Sequence, residues 1–369
     1  MKRLAVIGAN DFQNQLILKA KELGYETHVF AWREGASGEK TADCFYPVSI
    51  TQKEEILEIC RRIRPEGITS IGSDLAVVAV SYVAEHLGLP CNPVSITEQC
   101  TNKAAMRAAF ERAGVPVPRF VKTGRHDAPD LTGFSFPVIV KPTDRSGSRA
   151  ITRLESPEGL GRAVDAACEA SFEHKAIIEE YLEGDEYSCE CISQDGKHYF
   201  LAVTKKYTTG APHFIETGHM EPADLSPAQE EKIKEAVFAG LDALGIRMGA
   251  SHSEFKIGPD GEVRLIEIGA RMGGDCIGSD LVQLSTGNDY IRMVIDAACG
   301  RKICVRQGKP LQRAHVRFLL TKEDMEMLAR DRERNDITIH RVSDIDESLL
   351  GHTADSSSRA GYYIYTEEL

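Results

Sequence analysis

Within the first 95 residues, apolar strand-like runs alternate with helical segments, and this alternation narrows the fold more than any other feature of the chain. Residues 4–8 read as a buried strand. A helix follows from Asp11 to Leu23 and is stopped by Gly24. Residues 27–32 form a second strand, a helix runs from about Lys53 to Arg64, residues 68–74 form a third strand, and Leu75 to Leu87 another helix. Strands joined by helices run parallel, with both sheet faces covered. Such sheets bind ligands at the carboxyl ends of their strands. The first turn, Gly8-Ala9-Asn10-Asp11-Phe12-Gln13, has the first glycine of a dinucleotide fingerprint and neither of the other two, which disfavours an NAD site. At the end of the third strand Asp74 is expected to cap the next helix, with no ligand role.

A length of 369 residues suggests two or three domains. The net charge of −12, from 44 basic and 56 acidic residues, argues against a nucleic-acid surface but leaves room for a local basic cleft. No apolar run reaches the ~18–20 residues of a membrane span, and the opening MKRLAVIGAN leads directly into a strand–helix pattern, so it reads as mature structure. The ten cysteines contain no C-x-x-C pair. They read as reduced, mostly buried thiols of a cytoplasmic protein. Cys189 and Cys191 share a strand face but lack partners at zinc spacing. Cys276 is the one cysteine placed near a candidate site, and a catalytic role for it is the disfavoured reading.

Residues 251–257 and 262–270 read as a hairpin turned by Gly258-Pro259-Asp260-Gly261. Alternation groups Glu254 with His252 and Lys256, and Glu267 with Leu265 and Gly269. Two carboxylates facing each other across a hairpin make a hard oxygen site that suits Mg²⁺ carrying phosphates. The competing reading is an exposed hairpin with surface charges. Arg271 follows where the strand ends, and its fork of donors could hold a carboxylate or an acyl phosphate.

Upstream, residues 97–114 read as one helical segment carrying Lys103, by residue type a solvent-facing lysine. Residues 136–140 form an apolar strand ended by Lys141. The polar loop Asp144-Arg145-Ser146-Gly147-Ser148-Arg149 follows, either a cover for a polyphosphate or a basic hairpin turn. It is not a G-x-x-x-x-G-K-[ST] loop. A helix is expected over 156–170, capped by Ser156 with Pro157 in its first turn. Residues 175–193 read as strand, short connector, strand. A flat ring could lie along that connector with Glu186 reaching its sugar, while Glu179 and Glu180 could equally be solvated charges. Lys205, Lys206, His213 and His219 flank a Gly-Ala-Pro loop. An amphipathic helix follows over 227–244 and a core helix over 289–300, and residues 301–369 hold two strand-like runs separated by a charged helix and a polar loop.

Taken in order, these pieces resemble the ATP-grasp superfamily of carboxylate–amine ligases over residues 1–300, closest to the L-amino acid ligase and carbamoyl-phosphate-synthase-like group. The resemblance implies an α/β and α+β chain with an ATP-grasp fold. Its units would be a Rossmann-like preATP-grasp domain of parallel sheet over 1–95, an ATP-grasp domain over 96–300 with a lid at about 119–184, and a small C-terminal α+β region over 301–369. It puts Lys103 and Lys141 on the α- and β-phosphates of ATP, and Ser146, Gly147 and Ser148 in the covering loop. Glu179 and Glu180 would take the adenine amino group, the Leu182 amide a ring nitrogen, and Glu186 the ribose hydroxyls. Glu254 and Glu267 would ligate Mg²⁺, with Mn²⁺ as an alternative occupant. Arg271 would hold the acyl phosphate, with Gly273-Gly274 leaving room beside it.

The implied chemistry is attack of a small carboxylate on the γ-phosphate, then capture of the acyl phosphate by an amine. Where many members read Glu-x-Asn, this chain reads Glu267-Ile268-Gly269, so one customary metal ligand has no side chain. Two other readings stay open: a bicarbonate-activating enzyme of the biotin-carboxylase or carbamoyl-phosphate type, and a nucleotide-binding regulator without turnover. The expected partners are ATP and small carboxylate and amine substrates, with a homodimer left open and no nucleic acid or membrane. Specificity would lie in residues 205–219 and 273–280.

Overall fold

In the computed structural model, which describes residues 2–33, 35–147, 149–210 and 214–369, the amino-terminal alternation closes a parallel sheet of order β3-β2-β1-β4. Its strands are β1 (Lys2–Ile7), β2 (Tyr25–Phe30), β3 (Cys44–Tyr46) and β4 (Gly67–Thr69). The period of two along β1 sends Leu4 and Val6 into one apolar cluster and Ala5 and Ile7 into another, so both faces are covered by helices. Burying each of these Leu, Val and Ile side chains contributes about 1.5–3 kcal/mol. The short edge strand β3 was not anticipated. β4 ends at Thr69, earlier than expected, and Gly72 then turns with φ +64° to deliver the next helix. Ser73 caps that helix, its hydroxyl accepting from the Ala76 amide at 3.3 Å, so Asp74 is not the cap and its carboxylate is free for another role.

A second, antiparallel sheet of order β5-β8-β6-β7 contains β5 (Phe120–Gly124), β6 (Val138–Pro142), β7 (Thr152–Leu154) and β8 (Lys175–Glu180). Val138, Val140 and Ile178 pack on Ala163, Val164 and Ala167 of the helix Leu160–Ala170. That helix begins four residues later than the Ser156–Pro157 signal suggested. Gly159, at φ 82°, makes the turn, and the Ser156 hydroxyl accepts from Glu158 N at 3.4 Å, ahead of the helix.

The third sheet holds β9 (Asp185–Gln194), β10 (Lys197–Thr208), β11 (Glu216–Glu221), β12 (Gly249–Ile257), β13 (Val263–Gly269), β14 (Arg313–Leu319), β15 (Ile337–Val342) and β16 (Gly361–Glu367). Its order is β13-β12-β9-β10-β11-β14-β16-β15, so the C-terminal strands extend the same sheet through the β11–β14 pairing. The helix Pro227–Leu244, opened by a capping box between Ser226 and Gln229, lays Ile233, Val237 and Leu241 on Phe255, Leu265 and Ile268 of the hairpin.

Two local departures from the sequence reading position the site. The expected single helix over 97–114 is broken at Asn102 into Val94–Thr101 and Lys103–Arg112. Asn102 is extended (φ −117°, ψ 108°), and its side chain accepts from Ala105 N at 3.0 Å, capping the second helix with Lys103 as its first residue. In the hairpin, Glu254 pairs with Glu267 while Phe255 pairs with Leu265, which leaves Ile266 as an extra, bulged residue. Leu265 therefore turns into the core beside Ile268. Strict alternation would have set it on the Glu267 face.

Candidate functional site

A cleft runs between the second and third sheets, floored by β10, β12 and β13 and walled by β6, β8 and the helix Lys103–Arg112. The register of β12 on β13 places Glu254 directly opposite Glu267. Each carboxylate is held by a buried lysine. Lys206 Nζ stands 2.7 Å from Glu254 Oε1, and Lys103 Nζ stands 3.0 Å from Glu267 Oε2. Lys206 also reaches Glu186 at 3.1 Å. Burial alone would raise the Glu254 carboxyl, but Lys206 and His252 outweigh it and hold it well below the usual carboxylate range. Burial likewise opposes the Lys103 ammonium, and Glu267 and Asp74 overcome it. The two acids stand face to face, each against a lysine, a donor set that fits a divalent cation shared with phosphate oxygens.

Lys103 also donates to the Arg145 carbonyl at 2.8 Å, which ties the helix start to the loop containing Ser146 and Gly147. Both of those residues line the cleft, and Ser148 lies outside the described residues. Lys141 is buried at the end of β6, 2.6 Å from Glu179 Oε2. Glu179, only 4% exposed, also takes Arg107 at 2.6 Å. Burial would raise this acid, yet Arg107 and Lys141 bring it down to about 2. Burial pushes Lys141 below the ordinary lysine range. Glu179 pulls it up, while Arg107 and Lys103 push it further down.

The Glu179 carboxylate is therefore committed to two cations, and the Glu180 carboxylate accepts from Ser135 N at 2.8 Å. Both residues line the cleft, and Glu180 keeps its second carboxylate oxygen outside the Ser135 contact. The connector backbone around Leu182 lines the cleft, and Lys256 holds the Leu182 carbonyl at 3.0 Å.

Arg271 closes the other end. Its Nε and Nη2 reach Asp74 at 2.8 and 3.3 Å, a fork-to-fork pair that joins the first helix after β4 to the end of the hairpin. Of the room expected beside Gly273-Gly274, the Gly273 side is filled, while a Cβ at Gly274 would meet only Gly72, at 4.0 Å. A Cβ at Gly273 would lie 2.6 Å from Glu190 Oε1 and 2.7 Å from His252 Nδ1, and the Gly273 amide donates to Glu190 Oε2 at 2.9 Å. Glu190 and His252 form a short buried hydrogen bond, and His252 Nε2 stands 3.3 Å from Glu254 Oε1. Burial disfavours the imidazolium, but Glu190 outweighs it and lifts His252 to about 9.

Gly269 has its own constraint. A Cβ would come within 3.1 Å of Asp74 Oδ1 and 3.2 Å of Arg271 Nε. The Asp74–Arg271 pair occupies the space an asparagine would need. Cys276 is fully buried, and burial followed by Asp280 pushes its thiol up to about 12, so it is no nucleophile.

Sequence reasoning did not single out Arg107 or Glu190, gave Asp74 only the role of a helix cap, and noted Lys206 only as flanking a loop. Arg107 follows Lys103 by four residues, one helical turn, which was the available signal. The other three are brought in by sheet register and by the contact between the first and third sheets, which no local pattern encodes.

Residues 134–280 match the family model described as ATP-grasp domain. The chain is 28% identical over 270 residues to the alanine–anticapsin ligase of Bacillus subtilis, covering 67% of this chain and 56% of that protein. It is 31% identical over 177 residues to the D-alanine–D-alanine ligase of Oleidesulfovibrio alaskensis, covering 45% of this chain and 55% of that protein. The chain thus spans about half the length of the curated relatives it matches. Among solved structures it superposes on the L-amino acid ligase from Bacillus licheniformis with a TM-score of 0.82 at 21% identity, covering 100% of this chain and 94% of that one. No helix among the described residues is long and apolar enough to cross a membrane.

Proposed function

Because the chain carries an ATP-grasp domain within an ATP-grasp fold, we propose that it is an ATP-dependent ligase that activates a small carboxylate, an amino acid, as an acyl phosphate and joins it to an amine, releasing ADP and phosphate. The observation that carries this reading is the opposed pair Glu254 and Glu267, balanced by Lys206 and Lys103 in one cleft with Lys141. The opposed acids would hold Mg²⁺, or Mn²⁺ in its place, and the bound ion would neutralise charge on the transferring phosphoryl group. Lys103 and Lys141 would hold phosphate oxygens, Lys103 by exchanging its Glu267 contact for one to the nucleotide. Ser146, Gly147 and Ser148 would cover the phosphates, the connector from Glu180 to Leu182 would support the base, and Glu186 would reach the ribose. Arg271, oriented by Asp74 and by the Met272 carbonyl, which accepts from Nη1 at 3.2 Å, would present its remaining guanidinium N–H groups to the acyl phosphate. All ten cysteines are free thiols, which supports work in a reducing, cytoplasmic compartment.

The test is ADP and phosphate release from Mg²⁺-ATP with pooled amino acids, run beside bicarbonate alone, with the amide product identified by mass. Release that depends on particular amino acids and yields an amide is expected. Release driven by bicarbonate, or ATP binding without turnover across the pool, would overturn the reading.

A further inference from the structure

Outside the cleft, one cluster of ligand-type side chains has no part in the ligase reading. It lies on the amino-terminal sheet, where the edge strand β3 pairs with β2. Alternation along β2 sets Glu26 and His28 on one face, and the parallel register places Cys44 beside His28. One ligand atom from each, a carboxylate oxygen, a ring nitrogen and a thiol sulfur, lie within 4.8 Å of one another. His28 is only 4% exposed. Its Nδ1 is engaged by the Tyr46 hydroxyl at 3.0 Å. Its Nε2 is buried, lacks a hydrogen-bond partner among the described residues, and stands 3.5 Å from Glu26 Oε2.

A buried polar nitrogen left without a partner is unfavourable and calls for an explanation. When Nδ1–H donates to Tyr46 Oη, Nε2 presents its lone pair toward Glu26 and Cys44. A metal-binding imidazole is held in this way, one nitrogen fixed by an outer hydrogen bond and the other aimed at the ion. The competing account is a plain surface ion pair, since Arg3 Nε reaches Glu26 Oε2 at 3.0 Å. That pair leaves Cys44 unexplained, and at 3.5 Å the Glu26 carboxylate makes no more than a long contact to His28 Nε2. Asp43, close by, is committed to Lys21 and Thr27 and is not needed in the set.

We propose that Glu26, His28 and Cys44 bind one borderline-soft divalent cation of the zinc class, with water as the fourth ligand, and that the ion clips edge strand β3 to β2. The mixed oxygen, nitrogen and sulfur set suits Zn²⁺ or Co²⁺ in tetrahedral geometry and is a poor host for Mg²⁺. Bonds of about 2.0–2.3 Å need ligand atoms about 3.5 Å apart, so the three side chains close in by about 1 Å. Cys44 and Glu26 are half-buried, which leaves the ion a path in. On binding, the Cys44 thiol releases its proton to solvent as the sulfur–metal bond forms.

The test titrates the chelator-treated full chain with Co²⁺. One equivalent should give thiolate-to-cobalt charge-transfer absorption together with intense visible bands of tetrahedral cobalt, both bleached by one equivalent of Zn²⁺. Cys44→Ser should abolish the charge-transfer band while circular dichroism shows an intact fold. Tyr46→Phe, which keeps the ring and removes the hydroxyl, should weaken Co²⁺ binding by about 10–100-fold. Absence of the charge-transfer band in the wild type, or its persistence in Cys44→Ser, would overturn the site. Unchanged affinity in Tyr46→Phe would overturn the assigned role of the hydroxyl.

Discussion

Glu179 decides more than its own position, because one buried carboxylate balances both Arg107 and Lys141. Glu179→Gln removes the anion and leaves two cations in the cleft wall, which should cost about 3–5 kcal/mol, read as a lowered urea midpoint at neutral pH. The pH dependence follows from the depressed acid. Its folded pKa of about 2 lies below the ordinary glutamate value, so its stabilisation is complete above that ordinary value and is lost as pH falls toward 2. The wild type should therefore lose more stability between about pH 4.5 and 2.5 than Glu179→Gln does. Equal acid limbs would show that Glu179 does not carry the ion cluster. Glu267→Gln acts on chemistry as well. It removes one of the two opposed acids, and ADP release should fall by about 10²-fold or more. It also strips Lys103 of its partner, so a lower melting temperature should accompany the loss. Near-normal ADP release in a folded variant would remove Glu267 from the proposed metal site.

At the scale of elements, the end of the hairpin and the helix after β4 meet through Arg271 and Asp74, and Gly269 is the residue that lets them meet. Gly269→Asn would press a side chain against atoms 3.1–3.3 Å from its Cβ and push the pair apart. Displacing a positioned group by about 1 Å can cost about 10²-fold, so amide formation should fall on that order while ATP binding changes little. Faster ligation in Gly269→Asn would show instead that the glycine is a missing metal ligand. The same hairpin shows what a sequence can and cannot disclose. Its strands, its turn and the opposition of Glu254 to Glu267 follow from alternation and Asp-Gly turn chemistry, and the helix Pro227–Leu244 was legible end to end because Ser226, Pro227 and Gly245 mark both its limits. The bulge at Ile266 was not legible, since pairing with β12 and packing under the helix decide it. The break at Asn102 was masked by helix-forming neighbours on both sides, although an asparagine three residues before Ala105 is a recognisable cap. Asp74 and Arg271 lie 197 positions apart, and only the assembled sheets bring them together.

At the scale of the molecule, the third sheet makes the last 57 residues part of the site's support. β14, β16 and β15 continue the sheet from β11, and Arg359 of the loop before β16 pairs with Asp275 at 2.6 and 2.9 Å while lying 3.6 Å over the Phe318 ring. Asp275 follows Gly274 with φ 51°, a conformation a non-glycine residue holds only when its surroundings enforce it. The Arg359 fork is one such enforcement, so the C-terminal loop reaches the turn that carries Gly273 to Glu190. Ending the chain after Gln312 would remove three strands at once. It would leave β11 as an open edge and uncover Ile215, Cys276, Ile277 and Leu281, which now pack on Val316, Phe318 and Ile364. Unpaired edges and exposed apolar clusters drive association. The truncated chain should therefore be recovered mostly as aggregate, and any soluble fraction should lose amide formation more completely than nucleotide binding, because the nucleotide contacts proposed on β6, β8 and the helix Lys103–Arg112 lie on the other side of the cleft. A soluble, monomeric truncation with undiminished ligation would show that the eight-stranded sheet is two independent units.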